Sequence, residues 1–315
     1  MFRNKEYVLA IVREGSFSKA AEKLYVSQPS LSATIRRIEQ KLTVPLFDRT
    51  STPITLTEAG YEYVKHANEI ERMEHDLERF ISDRINLTAG EIKIGGSSLF
   101  SSFMLPRMIA EFNKKYPHVQ IQIFENNTKN LMRGLAAGDL DLVIDNMDMK
   151  SEAFFYTPFA SERLLLAVPD GLAIPSDLDA FALRASDVVA GKHLKEEYAV
   201  ELKSFIAQPF VLLNSENDTG KRADFLFKKH LLTPNVLFRL DQQITAYNIS
   251  SSGLGISFVS DTLVKNMELG SSMRYFRLSD LETERNIYFY QKKNRYHSLA
   301  CLKFMEYITN ITKLS

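Results

Sequence analysis

The stretch AAEKLYVSQPSLSATIRRIE, residues 20–39, decides how this chain begins. Two apolar-periodic pieces flank a short break at Tyr25-Val26, and the second opens with Ser27-Gln28-Pro29-Ser30. Ser27 predicts a helix cap, because its hydroxyl accepts from the free N–H groups of a first turn. Pro29 falls where a missing N–H costs nothing. Leu31, Ile35, Ile38 and Leu42 then recur at four, three and four, one helical stripe. The opposite side carries Pro29, Ala33, Arg36, Arg37 and Gln40, which a helix needing only to dissolve in water does not call for.

Working outward, residues up to about Glu14 read as a helix that Gly15 breaks. Ser16 caps a second helix running through Leu24, with Phe17, Ala20, Ala21 and Leu24 on its apolar side. Pro45 ends the third helix, and LFDRTSTPITLT reads as two short extended pieces around a Ser-Thr-Pro turn, a small β-wing. Helix, helix, turn, helix, wing is a winged helix-turn-helix.

Thr57 predicts the cap of a long helix ending near Asn86. Its apolar positions Tyr63, Ile70, Met73, Leu77, Phe80, Ile81 and Ile85 form a narrow seam on an otherwise charged surface. One economical way to bury such a seam is a second copy of the same helix. Tyr63, Ile70, Met73, Leu77 and Ile81 are therefore the expected dimerisation residues.

After Gly90 the pattern becomes strand-helix-strand-helix-strand, the mark of a parallel sheet with crossover helices. EIKIGG, VQIQIFE and LDLVID are its strands. RLLLAVP is a further buried strand, and PFVLLN, VLFRL and LGISFVS outline a second α/β unit. NIYFYQ returns as a strand, and Leu299 to Ile311 makes a last helix. Two α/β lobes joined by crossing strands make a clamshell with a cleft. The expected division is a winged helix-turn-helix over 1–58 and a linker helix over 59–89. Lobe I takes 90–162 and 270–315, and lobe II takes 163–269.

Lys+Arg and Asp+Glu both number 39 in the 315 residues, so net charge selects no partner. The distribution does. Residues 1–57 hold nine Lys and Arg against five Asp and Glu, a surplus of +4 that the remainder reverses. A basic N-terminal piece on a neutral protein suits contact with nucleic acid. Cys301 is the single cysteine, which excludes an intrachain disulfide, and its place in the apolar pattern of the last helix predicts burial. No apolar run reaches membrane-span length, and the N-terminus has no secretory pattern, so a cytoplasmic location without membrane partners is expected. The six histidines show no metal-ligand spacing, and no nucleophile elbow or phosphate loop occurs. No enzyme activity, metal or cofactor is expected.

With these motifs set out, the chain resembles LysR-type transcriptional regulators along nearly its whole length. The likeness is carried by GSFSKAAEKLYVSQPSLSATIRRIEQKL, then LFDRT and LTEAG, and later by LPRMIAEFNKKYPHVQIQI, LAAGDLDLVI and SSGLGISFV. It implies a multidomain architecture: the N-terminal winged helix-turn-helix, the dimerisation helix, and two Rossmann-like lobes as in type 2 periplasmic-binding-protein folds. It also implies a homodimer assembling to a homotetramer on double-stranded promoter DNA, and it leaves room for RNA polymerase as a partner.

The unusual face of the third helix then has a purpose, since the second helix of such a motif enters the DNA major groove. By similarity Gln28, Pro29, Ser32 and Ala33 stand at base-contacting positions. The Gln28 amide can bond two base-edge atoms, and Ser32 can donate or accept. Arg36 and Arg37 suit phosphates, and Ser27 and Ser30 at the helix N-terminus can meet another. Arg49 either holds a phosphate or buttresses the wing. Two departures reduce base-reading capacity: Thr52 stands where many members carry a basic wing residue, and Ala33 where some carry a longer polar or basic side chain.

Ligands of open α/β sheets bind beyond the carboxyl ends of the strands. Those ends here are Ser97 and Ser98, Thr128, and Asp145 with Asn146; Asn214 and Asp218 follow a strand of the second lobe. The resemblance places Ser98 and Thr128 at the family's effector site. Each of these is also a plausible helix cap or turn residue. Asp145 would oppose an anion, so it points away, pairs with a Lys or Arg, or receives an amine of the ligand. The expected effector is a small molecule, an amino acid or a carboxylate. The rival readings are a solute-binding protein, an enzyme with an appended DNA-binding domain, and a regulator without effector.

Overall fold

The computed structural model describes residues 1–50, 53–85, 90–148, 151–267 and 272–312. The chain divides into two compact units, Met1–Ile81 and Ser82–Ser315.

The first unit begins with α1 (Lys5–Glu14), α2 (Phe17–Lys23) and α3 (Gln28–Leu42). Gly15 ends α1 at φ +60°, its N–H bonded to the Ile11 carbonyl. The Ser16 hydroxyl accepts from the Lys19 N–H at the start of α2, and the Ser27 hydroxyl accepts from the Ser30 N–H at the start of α3. Both expected caps are present. Tyr25 takes the sharp corner between α2 and α3 at φ +55°, a left-handed conformation uncommon for a residue with a side chain. Leu31, Ile35 and Ile38 of α3 are buried among Val8, Leu9, Ile11, Phe17 and Ala20. Truncating one of them to Ala removes about 2–5 kcal/mol. The wing is β1 (Phe47–Asp48) paired antiparallel with β2 (Thr55–Leu56). The Phe17 and Phe47 rings meet edge to face at 5.6 Å, which fixes the wing's base on α2.

α4 (Glu58–Ile85) follows, and its Gly60 N–H donates to the Thr57 hydroxyl, as the cap expectation required. The first turns of α4 belong to the first unit's core. Tyr63 is only 5% exposed, its ring lies 4.8 Å from Phe2, and its hydroxyl donates to the Met1 carbonyl. Tyr63 is thus corrected from a dimer-seam residue to a core residue. The side chain of Ile85 and residues 86–89 lie outside the described residues.

The second unit opens with β3 (Gly90–Gly96), a short π-helical turn at Phe100–Met104, and α5 (Leu105–Lys115). β4 (Val119–Glu125), α6 (Thr128–Ala137) and β5 (Leu142–Asp145) complete a parallel set in the order β4-β3-β5. β6 (Phe154–Pro169) is sixteen residues long and passes through both halves of the sheet. Beyond it come α7 (Ala185–Val189), β7 (Ala199–Val200), β8 (Pro209–Leu213), α8 (Asp218–Lys229), β9 (Asn235–Leu240), α9 (Gln243–Ile249), β10 (Ile256–Ser260) and α10 (Asp261–Asn266). The second half runs β6-β10-β8-β9. β11 (Met273–Leu278) then pairs with the far end of β6 and with β7. β12 (Glu284–Lys292) returns to lie between β5 and β6, and α11 (Leu299–Thr312) covers the first half.

Two lobes joined by crossing strands are therefore present. The division at 269/270 is corrected, because β11 belongs with the second lobe and the chain recrosses only at β12. Arg274 and Arg277 disguise β11 in the sequence by interrupting an otherwise buried apolar run. Phe112 and Phe304 pack edge to face at 5.1 Å under the first lobe, and Phe210, Phe227 and Phe258 cluster under the second. Cys301 is buried, as expected.

Candidate nucleic-acid interface and ligand cleft

α3 has one buried face and one bare face. Ser27, Gln28, Pro29, Ser30, Ala33, Arg36 and Arg37 are exposed, and Ser32 is half-buried. Gln28 Nε2 donates to the Ser32 hydroxyl at 3.1 Å, one turn on. That bond holds the two side chains together and leaves the Gln28 amide oxygen open. Arg36 and Arg37 make no side-chain hydrogen bond or ion pair among the described residues, so both guanidiniums are available to an external anion.

Arg49 does not stand free. Its Nη2 donates to Glu39 Oε2 at 2.9 Å, and its guanidinium lies 5.2 Å from the Phe17 ring centroid. Glu39 Oε1 also accepts from the Leu46 N–H at 2.9 Å. Of the two roles expected for Arg49, the buttress is the one these contacts describe. Thr52 lies outside the described residues.

A basic recess of about 590 Å³ adjoins this face, where the start of the chain meets α3. Arg3, Asn4, Thr34, Arg37, Gln40 and Lys41 line it, together with Met1. The Asn4 side chain does not cap α1, and the Lys5 and Tyr7 N–H groups of the first turn donate instead to the Phe2 and Asn4 carbonyls. Arg3 and Lys41 escaped notice as site residues because they are 38 positions apart in the chain. Arg37 and Lys41, four apart on one helix face, were the legible half of the recess.

On α4, Met73 is 70% exposed, Leu77 58%, and Ile81 and Phe80 are exposed too. Ile70 is half-buried. Met73, Leu77 and Ile81 share one face by helical spacing, an exposed apolar strip among the described residues of the first unit.

In the second unit the strand ends converge as expected. A closed cavity of about 20 Å³, roughly one water's room, lies between the lobes. Ser97, Thr128, Asp145 and Asn146 line it from the first lobe, and Asn217, Thr219, Gln242 and Gln243 from the second. Asn214 lines a neighbouring space of similar size and donates to Asp241 at 2.7 Å. Ser98 is turned to Glu125 and donates to its carboxylate. Asp218 is buried just behind the wall rather than in it. Local sequence explains the approach of α8 to this point. A Cβ on Gly220 would lie 2.3 Å from the Asn214 carbonyl oxygen, so glycine lets the first turn press against the end of β8.

The unexpected centre of the cleft is Arg285, contributed by β12. Its Nε donates to Glu162 Oε1 at 2.7 Å, and its Nη1 donates to Asp218 Oδ2 and the Thr219 hydroxyl, each at 2.9 Å. Arg222 Nε adds a bond to the same Asp218 oxygen at 2.7 Å. Burial alone would lower the Arg285 pKa, but the carboxylates of Glu162 and Asp218 overcome it and hold the guanidinium above its ordinary value. Among the described residues Arg285 Nη2 and Glu162 Oε2 are buried without a partner, one donor and one acceptor.

Asp145 sits at the other side of the same cavity. Oδ2 accepts from the Thr128 hydroxyl at 2.8 Å and Oδ1 from the Met147 N–H at 2.8 Å. Burial nevertheless pushes its pKa up to about 6, with Asp218 adding to the rise and the Met147, Thr128 and Arg285 contacts opposing it. Arg285 and Glu162 were not legible as site residues. They are 123 positions apart, and only the register of β12 on β6 places them opposite each other.

No group of three His, Cys, Asp or Glu among the described residues is arranged to hold a metal. No helix among them is long and apolar enough to cross a membrane.

Two family models match the chain, one for each unit's part of it. The family model described as "Bacterial regulatory helix-turn-helix protein, lysR family" matches residues 2–61, and that described as "LysR substrate binding domain" matches residues 86–312. A probable RuBisCO transcriptional regulator of Cyanidioschyzon merolae is 30% identical over 310 residues, covering 96% of this chain and 95% of its own. The uncharacterized HTH-type transcriptional regulator YcgK of Bacillus subtilis is 29% identical over 303 residues, covering 96% and 91%. Among solved structures, full-length CbnR complexed with its target DNA superposes with a TM-score of 0.67 at 19% identity, covering 98% of this chain and 99% of that one. The regulatory domain of CcmR from Synechocystis, in complex with 2-PG, superposes with a TM-score of 0.60 at 16% identity, covering 71% and 98%.

Proposed function

This chain belongs to the LysR family of transcriptional regulators, and from that premise we propose how its residues carry out the regulation. It is a DNA-binding regulator with an effector-binding domain, not an enzyme. The exposed face of α3 reads promoter DNA in the major groove, with Gln28, Pro29, Ser32 and Ala33 at base edges and Ser27, Ser30, Arg36 and Arg37 on phosphates. Arg49 positions the wing from behind, and Thr52 is a further DNA contact in this reading. The observation that carries this reading is the pair of unpartnered guanidiniums on a helix whose opposite face is wholly buried.

Two copies pair through Ile70, Met73, Leu77 and Ile81 of α4, and two dimers assemble as a tetramer on the promoter, where RNA polymerase is the further partner. The protein acts in the cytoplasm. Residues 1–58 form the DNA-binding domain in this reading, and α4 is the linker.

The effector occupies the cleft lined by Ser97, Thr128, Asp145 and Asn146, with Ser98, Asn214 and Asp218 supporting its walls. An α-amino acid suits it best. Its ammonium would meet Asp145 and its carboxylate the free Nη2 of Arg285. The ligand shifts regulation by binding one lobe arrangement better than the other. The CcmR regulatory domain in complex with 2-PG supports a small molecule in such a domain.

Fluorescence anisotropy with the protein's own upstream DNA and a scrambled control tests the first half. A preference of about a thousandfold for the native DNA at near-physiological salt is expected. No binding at low salt would sink the reading. Calorimetry tests the effector class: simple carboxylates binding as tightly as their amino analogues would remove the role given to Asp145.

A further inference from the structure

The outer face of the crossing strands carries a second polar site. Side chains alternate along a strand, so while Glu162 faces the cleft, Arg163 faces away from it. A groove of about 490 Å³ opens beside Arg163, with Asp261, Lys265 and Glu284 in its wall together with the Glu162–Arg285 pair. Arg277 of β11 pairs with Leu165 of β6, which makes it the diagonal neighbour of Arg163 on the same face. Two guanidiniums are thus packed side by side, 6% and 3% exposed. Each has a buried Nε without a partner among the described residues. Burial lowers the Arg163 pKa, and the adjacent Arg277 charge lowers it further.

The counter-charges are of a different kind. Arg163 pairs with Glu284, whose side chain is 53% exposed, and Arg277 with Glu196 at 3.3 Å, 90% exposed. Asp261 is close, but its oxygens already receive the Arg163 N–H, His193 Nε2 and Lys265 Nζ. Each buried cation is therefore paired directly with a surface carboxylate, and Asp261 adds a further attraction on Arg163. A carboxylate that keeps its solvent contact in such a pair is open to exchange with another anion.

We propose that Arg163 and Arg277 form a second anion site behind the hinge, taking a compact oxyanion of the phosphate type in place of Glu284 and Glu196. A tetrahedral dianion offers several acceptors to two forked guanidiniums, and the free Nε donors are those it would satisfy. Bound there, it ties β6 to β11 where the chain crosses between lobes.

The test is calorimetric titration of the full-length protein with inorganic phosphate at constant ionic strength, comparing the wild type with the double variant Glu196→Gln, Glu284→Gln. Both changes are on exposed side chains and leave the fold intact. Removing the competing carboxylates should tighten phosphate binding about tenfold or more. Any phosphate held by the DNA-binding face is common to both proteins and cancels. Adding Arg277→Lys to the double variant should reverse the gain, because a lysine keeps the charge but loses the fork. An unchanged or weaker affinity in the double variant overturns the proposal, as does a gain that survives Arg277→Lys.

Discussion

Arg36 and Arg37 combine exposure and charge with, among the described residues, no side-chain partner, which suits the phosphate role proposed for them. Their joint replacement by Ala should weaken binding to native and scrambled DNA alike. It should also flatten the plot of log affinity against log salt by about two counterions' worth. Parallel salt plots for variant and wild type would count against the phosphate role. Asp145 makes the opposite case, a charge held where water is absent. Its pKa is raised to about 6, so the folded state binds the proton more tightly than the unfolded chain. The sign follows: this carboxyl favours folding at low pH, and the contribution is lost as pH climbs from about 4 through about 6. Relative to Asp145→Asn, the wild type should lose about 3 kcal/mol across that window in denaturant titrations. Curves that stay parallel across the window would show that Asp145 is ionised as easily as a surface carboxyl.

At the scale of the element, α4 serves two neighbours at once. Its first turns are sealed into the winged unit by Tyr63 and Ala67, while Met73, Leu77 and Ile81 carry an exposed apolar strip further along. The repeat of apolar positions cannot separate these uses, since a core contact and a partner contact ask for the same side chains. Leu77→Glu places a charge in the strip without touching the winged unit's core. Sedimentation should then report a shift from dimer or larger to monomer at micromolar concentration, with thermal unfolding of the monomeric unit preserved. An assembly that survives the change would move the dimer contact away from this strip. α3 is the converse element, legible in full because its buried stripe, its cap and its bare face are all local properties.

Across the whole molecule, β6 and β12 join the lobes, and the ion pair Glu162–Arg285 lies where they cross. Arg285→Met should destabilise the protein by about 3–5 kcal/mol, because it leaves the buried Glu162 carboxylate without a cation while Asp218 keeps only Arg222. The double change Arg285→Met with Glu162→Met should recover part of that loss. Chemical denaturation measures both, and a single variant as stable as wild type would contradict the network.

What the amino-acid order determined by itself was everything set by short periodicities: the helix caps at Ser16, Ser27 and Thr57, the stripe on α3, the wing, and the alternation of strands and helices in two lobes. Strand ends followed from that alternation, which is why Ser97, Thr128, Asp145 and Asn146 were legible as one wall of a cavity. Only the tertiary structure decided which distant residues meet. It brought Arg285 to Glu162, Arg277 beside Arg163, and Arg3 to Lys41, and it drew Tyr63 into the core. The physical reason is common to all four. Local pattern records which face a residue turns, whereas strand register and chain crossing determine what that face finds opposite it.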